Sequence, residues 1–422
     1  MGPTIIFDKS ALQMLSIDES CWLENFFISN ITPLFYVESL ADLSKESKDS
    51  RTAEQIVSEI AAKTPLMSCF PNIHHGKLIY NELIGREVPM DGRAIVAGGK
   101  SKITEKGETL IDHDEFPEAK AMSRWQDQKF KELENQFAQL WRKELVNLAF
   151  DKKVALVKNI LPSDTKYTDL ASIAKFVKEF IKNEPKEILY LLFELLDINE
   201  QFRGPIIARW DQTTPKNLME FSPYTAHVLS VDLFFYLAIH FNLISDVRKS
   251  NKIDIAYLYY LPFCNVFVSN DKLHTKTAPL FMREDQVFIQ GKDLKDALKY
   301  LDDYYEKLPD EIKAQGVVKF AQYPPEEENL VSDLWDKYLT LWRQHLEEAK
   351  KKTPLSKEEQ AKIVEEMNRI KENSVPLDHE ITSAEADSAM FTSWVKPRKG
   401  KWKLFPPEVE LNKKSRKPTD IV

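Results

Sequence analysis

Glycine is scarce in this chain, with 11 residues in 422. Long polar–apolar stretches dominate instead, so helix is expected to outweigh strand. Cysteine is scarcer still. Cys21, Cys69 and Cys264 are widely separated and form no CxxC pair, which excludes a disulfide framework, argues against a structural zinc site and suits reduced thiols in a cytoplasm. Also missing is any apolar run long enough for a bilayer, which needs about 20 residues. The most apolar window, Val228 to Leu243, is shorter, carries Asp232 and His240, and reads as a core helix. Met1-Gly2-Pro3-Thr4 leads straight into a short apolar run with no signal-peptide pattern, and Ile6 stands where a myristoylation signal needs Ser or Thr. The expectation is a cytoplasmic protein without a membrane partner. Positive charge is in deficit too: the net charge is −8, which argues against coating nucleic acid with the whole surface but leaves room for a local basic groove.

The rest is ordinary for a globular protein, with 43% hydrophobic and 29% charged residues. The length exceeds what one core usually fills, so two or more structural units are expected, and no internal repeat is evident. Thr4 to Phe7 is a short apolar strand ending at Asp8. A helix is predicted over Asp18 to Phe27, a strand over Ile28 to Ile31, and a helix from Pro33 through Leu43. Beyond the polar stretch Ser44 to Arg51 the pattern turns mainly helical, with an irregular patch between Pro65 and Glu115. Trp125, Phe130, Leu133, Phe137, Leu140, Trp141, Leu145 and Leu148 space out as one face of a long helix. Around Ile253 the character returns to α/β: a helix from Asp254 to Tyr260, an apolar strand from Cys264 to Ser269 and a further strand from Gln286 to Ile289. Leu330, Leu334, Tyr338, Leu341, Trp342 and Leu346 mark another long helix. These shifts divide the chain into residues 1–45 and 226–290, two parts of one α/β domain; 46–225, a mostly helical insertion; 291–393, a helical C-terminal region; and 394–422, a basic tail expected to be extended or flexible.

Two apolar strands end in aspartates, Asp8 and Asp271. Fully apolar short strands suggest a parallel sheet covered on both faces, and such sheets bind ligands beyond the carboxyl ends of their strands. Both aspartates would then share one sheet edge. Glu38 lies one to two turns into the helix starting at Pro33, with Asp42 four residues on along the same face, and Asp254 opens the helix feeding the strand that ends at Asp271. Clustered carboxylates repel one another unless a cation neutralises them, and oxygen-only ligands select hard ions such as Mg²⁺ or Mn²⁺.

The order Asp8-Lys9-Ser10 after an apolar strand, Glu38 in a helix after the next strand, then Asp254 followed by Ser269-Asn270-Asp271, resembles the PIN domain of ribonucleases and toxin nucleases. The resemblance covers residues 1–43 and 245–289; the helical segment between them departs from the family's compact form. It implies an α/β fold with a Rossmann-like parallel sheet, to which the patterning adds a large mostly helical insertion and a helical C-terminal region. It further implies that Asp8, Glu38, Asp254 and Asp271 hold Mg²⁺ or Mn²⁺ and hydrolyse phosphodiester bonds, in RNA first, with Ser10 and Ser269 as polar support. Asp42 is read as a neighbour supporting this set, and Asp246 as a weaker rival to Asp254. Lys9, Arg248, Lys252 and Lys272 adjoin the acids and are candidates for backbone phosphates. Nucleic acid is thus the expected partner, and the helical regions could serve a second copy or another protein. The alternative is a non-catalytic PIN-like scaffold that binds nucleic acid or protein through those regions; a purely helical interaction protein is a third reading.

Other signals carry less. Each of Asp8 and Asp271 could simply cap a helix. Ala97-Gly98-Gly99-Lys100-Ser101 looks like the end of a phosphate-binding loop, but Ala94 stands where its first glycine is required. His74-His75 lacks a metal-ligand partner at suitable spacing. His274, three residues past Asp271, is placed to contact a substrate. The tail interleaves Lys396, Arg398, Lys399, Lys401 and Lys403 with Trp402 and Phe405, a composition suited to nucleic acid or to a plain solubilising tail.

Overall fold

The computed structural model describes residues 2–45, 51–112, 117–162, 165–183, 185–213, 217–351, 357–379, 381–392 and 396–405. Its centre is a five-stranded, all-parallel sheet made of β1 (Thr4–Phe7), β2 (Ile28–Ile31), β3 (Cys69–Pro71), β6 (Val266–Ser269) and β7 (Val287–Gln290), in the order β3-β2-β1-β6-β7. This is the α/β, Rossmann-like arrangement. A separate four-stranded sheet joins β4 (Lys100–Ile103) and β5 (Thr109–Asp112) to β8 (Val375–Pro376) and β9 (Met390–Thr392).

Why the central strands are apolar throughout is visible from their two faces. Side chains alternate along a strand, and in β1 Ile5 and Phe7 enter one core while Ile6 enters another. In β6, Val266 and Val268 join the first core and Phe267 the second. The first core also holds Trp22, Phe26, Leu294, Leu298, Tyr305 and Trp335. The second holds nearly all of the helix Pro223–His240, with Ile173, Val177 and Ile181 from the helix Leu170–Asn183. The segment Val228–Leu243 is thus a core helix up to His240, and no helix among the described residues is long and apolar enough to cross a membrane.

Three expectations are corrected. β3 arises within the stretch read as helical insertion; its three residues, Cys69, Phe70 and Pro71, are too few to show a period, and Pro71 is tolerated because β3 is an edge strand. Since the insertion both supplies a strand and fills one face of the sheet, it does not stand apart from the α/β unit. The long helix read through residues 125–148 is two helices, Pro117–Gln126 and Glu132–Val146, separated where Gln128 turns to a positive φ of 56°. The helix read through 330–346 is likewise two, Leu330–Tyr338 and Trp342–Lys351.

The tail differs most. Its described residues form a hairpin, β10 (Arg398–Lys399) and β11 (Trp402–Lys403), packed into the first core. Trp402 is buried and its indole Nε1 donates to Asp302 at 2.7 Å. The Lys399 ammonium is buried against Glu24 at 2.6 Å, and Lys401 reaches Asp302 and Glu306 at 2.8 and 2.6 Å. The basic–aromatic pattern therefore serves packing and ion pairing over 396–405; residues 394, 395 and 406–422 lie outside the described residues.

Candidate functional site

The chain runs outward through β1, β2 and β3, then crosses back to pair β6 with the other side of β1. The strand order therefore reverses at β1, and a crevice opens outside the carboxyl ends of β1 and β6. Parallel register sets Phe7 beside Val268, and the Asp8 amide donates to the Val268 carbonyl at 3.1 Å. Asp8 and Ser269 are neighbours for that reason, although 261 positions separate them.

Asp8 is buried and caps α1 (Lys9–Met14), accepting from the Ala11 amide at 2.8 Å. Its carboxylate also accepts from Ser10 Oγ at 2.9 Å and from Ser269 Oγ at 2.7 Å. His274 Nδ1 lies 3.4 Å from Asp8 Oδ2 and 2.7 Å from Ser269 Oγ, while its Nε2 is 2.5 Å from the Asp254 carbonyl. Burial alone would raise the Asp8 pKa, but His274, Ser269 and Ala11 outweigh it and hold it below the usual value. Burial also opposes a charge on His274; the Asp8 carboxylate and the Asp254 carbonyl more than compensate, and its pKa is raised. The two form a buried ion pair that titrates as one unit.

Glu38 projects from α3 (Pro33–Ala41), the helix that Thr32 caps after β2. Its Oε2 accepts from the Tyr257 hydroxyl at 2.6 Å. Burial pushes its pKa up, with Asp8 and Asp42 adding to the rise and Lys9 and Tyr257 restraining it. Asp254 sits in the first turn of the helix Asn251–Ala256, past a start at Ser250. Its pKa is pushed up to about 7, chiefly by burial; Asp271 and Glu38 raise it, and His274 and Arg248 pull it down. Asp271 caps the helix Lys272–Phe281 through Leu273 and, through its other oxygen, faces Arg248 Nη2 at 3.4 Å. The same nitrogen stands 3.5 Å from Asp254 Oδ2.

The four expected acids thus reach one sheet edge from four separate elements. Their oxygens are more widely spread than a closed cage: among the described residues, the group of acids whose ligand atoms all lie within 4.8 Å of one another is Asp302, Asp303 and Glu306. That trio belongs to packing, since Asp302 accepts from Trp22 and Trp402 and, with Glu306, holds Lys401. At the sheet edge the donor chemistry suits a hard divalent ion, being all-oxygen and anionic, and burial, with the neighbouring acids, raises the Glu38 and Asp254 pKa values. The space between Asp254 and Asp271 is spanned by a guanidinium.

The candidate cations divide. Arg248 is at the acids and Lys272 is exposed beside Asp271. Lys9 is turned inward, bound to Asp42 at 3.0 Å and to the Glu38 carbonyl at 3.2 Å, and Lys45 also pairs with Asp42. Lys252 corrects an expectation: it is not at the crevice but buried at 2.5 Å from Asp232 and 2.8 Å from the Tyr259 hydroxyl, because it sits on the helix Asn251–Ala256, which packs against Pro223–His240, whereas Arg248 lies on the loop before it. Asp246 is exposed, outside the set. Ser10 and Ser269 support Asp8 directly, and Asp42 anchors Lys9. Tyr257 was missed; a tyrosine in the apolar run Tyr257–Phe263 carries no sign of an acid partner 219 positions away. His274 is fully buried structure and not a group presented to a substrate. His75 is likewise held by Tyr260.

No protein-family model, curated protein or solved structure matches the chain.

Proposed function

We propose that this protein is a PIN-like, metal-dependent phosphodiesterase acting on nucleic acid, RNA first, at the crevice beyond β1 and β6. The observation that carries this reading is the gathering of Asp8, Glu38, Asp254 and Asp271, from four elements, at the point where the strand order reverses. Burial first, with neighbouring carboxylates adding to it, raises the pKa of two of them, which costs stability and is the kind of arrangement that function, more than folding, explains.

Asp8, Glu38, Asp254 and Asp271 would hold Mg²⁺ or Mn²⁺, which when bound supplies Lewis acidity toward a phosphodiester oxygen and makes a water molecule more acidic. The protein's own groups do the rest. Ser10, Ser269 and His274 fix the Asp8 carboxylate in one orientation and keep it ionised. Tyr257 orients Glu38 and restrains the rise in its pKa. Lys9 neutralises Asp42, so that Asp42 adds less repulsion to the edge. Lys272 and Arg248 are cations at the rim for backbone phosphates.

A second reading, a non-catalytic scaffold of the same fold, is favoured by one observation: Arg248 lies between two of the acids, whose oxygens stand apart. Cleavage of labelled single-stranded RNA and DNA with Mn²⁺ or Mg²⁺ separates the two. Metal-dependent cutting abolished in both Asp8→Asn and Asp271→Asn supports the nuclease. Absence of cutting, together with no metal-induced rise in melting temperature, favours the scaffold.

A further inference from the structure

Arg248 lies on an exposed loop between the helices Pro223–His240 and Asn251–Ala256, and its side chain is 60% exposed. One of its nitrogens, Nη2, serves both Asp254 and Asp271, at 3.5 and 3.4 Å. Those are long contacts. Elsewhere in the same chain arginines grip carboxylates tightly: Arg343 holds Asp336 at 2.8 and 2.7 Å, and Arg124 holds Glu134 at 2.6 Å. A charge-assisted N–H···O bond normally closes to about 2.7–2.9 Å. Arg248 is thus a cation drawn to the site by charge and not locked into it by geometry.

Among the described residues, Arg248 is the cation within ion-pair distance of both acids. Lys249 is turned away, with its ammonium 4.3 Å from the centre of the Phe150 ring. Lys252 is consumed by Asp232. His274 is committed to Asp8 and to the Asp254 carbonyl. The Asp254 and Asp271 side chains are only 14% and 17% exposed, and Arg248 reaches both from its loop. Arg248 Nε in turn donates to Ser250 Oγ at 3.1 Å.

We propose that Arg248 is an exchangeable internal counter-ion: it occupies the charge position between Asp254 and Asp271 and is displaced when a divalent cation binds there. The inference rests on the metal-site reading above and concerns how that site is regulated. A guanidinium stays protonated across the physiological range, so the competition does not depend on its titration. It follows from linkage alone: whatever the acids gain from Arg248 in the metal-free protein must be given up when the ion enters. Displacement also leaves a free guanidinium at the rim, where the ion's own charge discourages its return.

The test is Mn²⁺ affinity of the full chain, measured by titration calorimetry without substrate, for wild type, Arg248→Ala, Arg248→Lys and the remote control Arg343→Ala. Competition predicts that Arg248→Ala binds Mn²⁺ more tightly, on the order of tenfold. Arg248→Lys, which keeps the charge but not the fork, should fall between the two, and Arg343→Ala should match wild type. Wild-type binding with Arg248→Ala equal or weaker overturns the counter-ion role while leaving the metal site standing. Absence of Mn²⁺ binding in wild type and Arg248→Ala alike overturns both. Since Arg248 is exposed, its variants should fold; Arg248→Gln, which retains length and polarity, gives a second neutral variant with the same expected gain.

Discussion

The Tyr257 hydroxyl donates to Glu38 across 2.6 Å, joining the segment that precedes β6 to the helix that follows β2. The pair bridges the reversal in strand order from both sides, and its donor is a phenol buried in the second core. That single contact both orients an acid of the site and restrains its pKa.

Tyr257→Phe should therefore lower stability by about 1–3 kcal/mol, the usual penalty for leaving a buried polar group without its partner. The loss should be larger at pH 8 than at pH 5, because the hydroxyl favours the ionised form of Glu38. Urea unfolding at the two pH values measures it. An equal loss at both would show that the bond does not discriminate between the two forms.

Asp254 makes the opposite prediction. Its folded pKa of about 7 lies above its ordinary 3.8. Its favourable contribution is complete below about 3.8 and is lost as pH rises through about 7, by which point the buried charge costs a few kcal/mol. Asp254→Asn should consequently raise the melting temperature at pH 8 and leave it nearly unchanged at pH 4. Saturating Mn²⁺ at pH 6.5 should release a proton from the wild type and not from Asp254→Asn, which calorimetry in buffers of different ionisation enthalpy detects.

His274 and Asp8 define a pH window. Asp8, with its pKa depressed, contributes stability above about 3.8 that disappears as pH falls through its folded value. His274, with its pKa raised, contributes stability below about 6.5 that disappears as pH rises through its folded value. The difference in unfolding free energy between wild type and His274→Gln should accordingly be greatest near pH 5 and decline toward pH 9. A difference that does not change with pH would mean that packing, and not charge, makes His274 matter.

Trp402→Ala should destabilise the protein by about 3–5 kcal/mol, as befits an indole set edge-to-face with Trp22 and bonded to Asp302. The loss should register as a lower melting temperature of the whole chain. Removal of Trp402 without thermal effect would contradict the packed hairpin.

The parts of this fold that were legible are those where one physical demand dominates. Strands buried on both faces must be apolar, so Thr4–Phe7 and Val266–Ser269 stood out, and a strand in a parallel sheet commonly passes into a capped helix, so Asp8 and Asp271 stood at their ends. The helices read over Asp18 to Phe27 and from Pro33 through Leu43 are present as Ile17–Phe26 and Pro33–Ala41, with the start at Pro33 as read and the other ends shifted by one or two residues. What escaped depends on partners far along the chain. Cys69–Pro71 is a strand because Ser29, Asn30 and Ile31 pair with it. Lys252 and Arg248 look alike in sequence, yet the first sits on a helix packed against the helix of Asp232 and the second on the loop before it, at the crevice. The tail read as basic because Lys399 and Lys401 are lysines; that Glu24, Asp302 and Glu306 await them is a fact of tertiary structure.

The pairing of Ile5 with Val266 has a consequence for biosynthesis. A ribosome working at roughly 5–20 residues per second needs tens of seconds to travel from one to the other. For most of that interval the nascent chain carries Asp8 and Glu38 but not Asp271, and β1 has only β2 beside it. The edge where the acids meet cannot exist until β6 has left the tunnel and inserted next to β1. Ring closure over so long a stretch makes this a late step of folding, so the four acids first meet only when the fold nears completion.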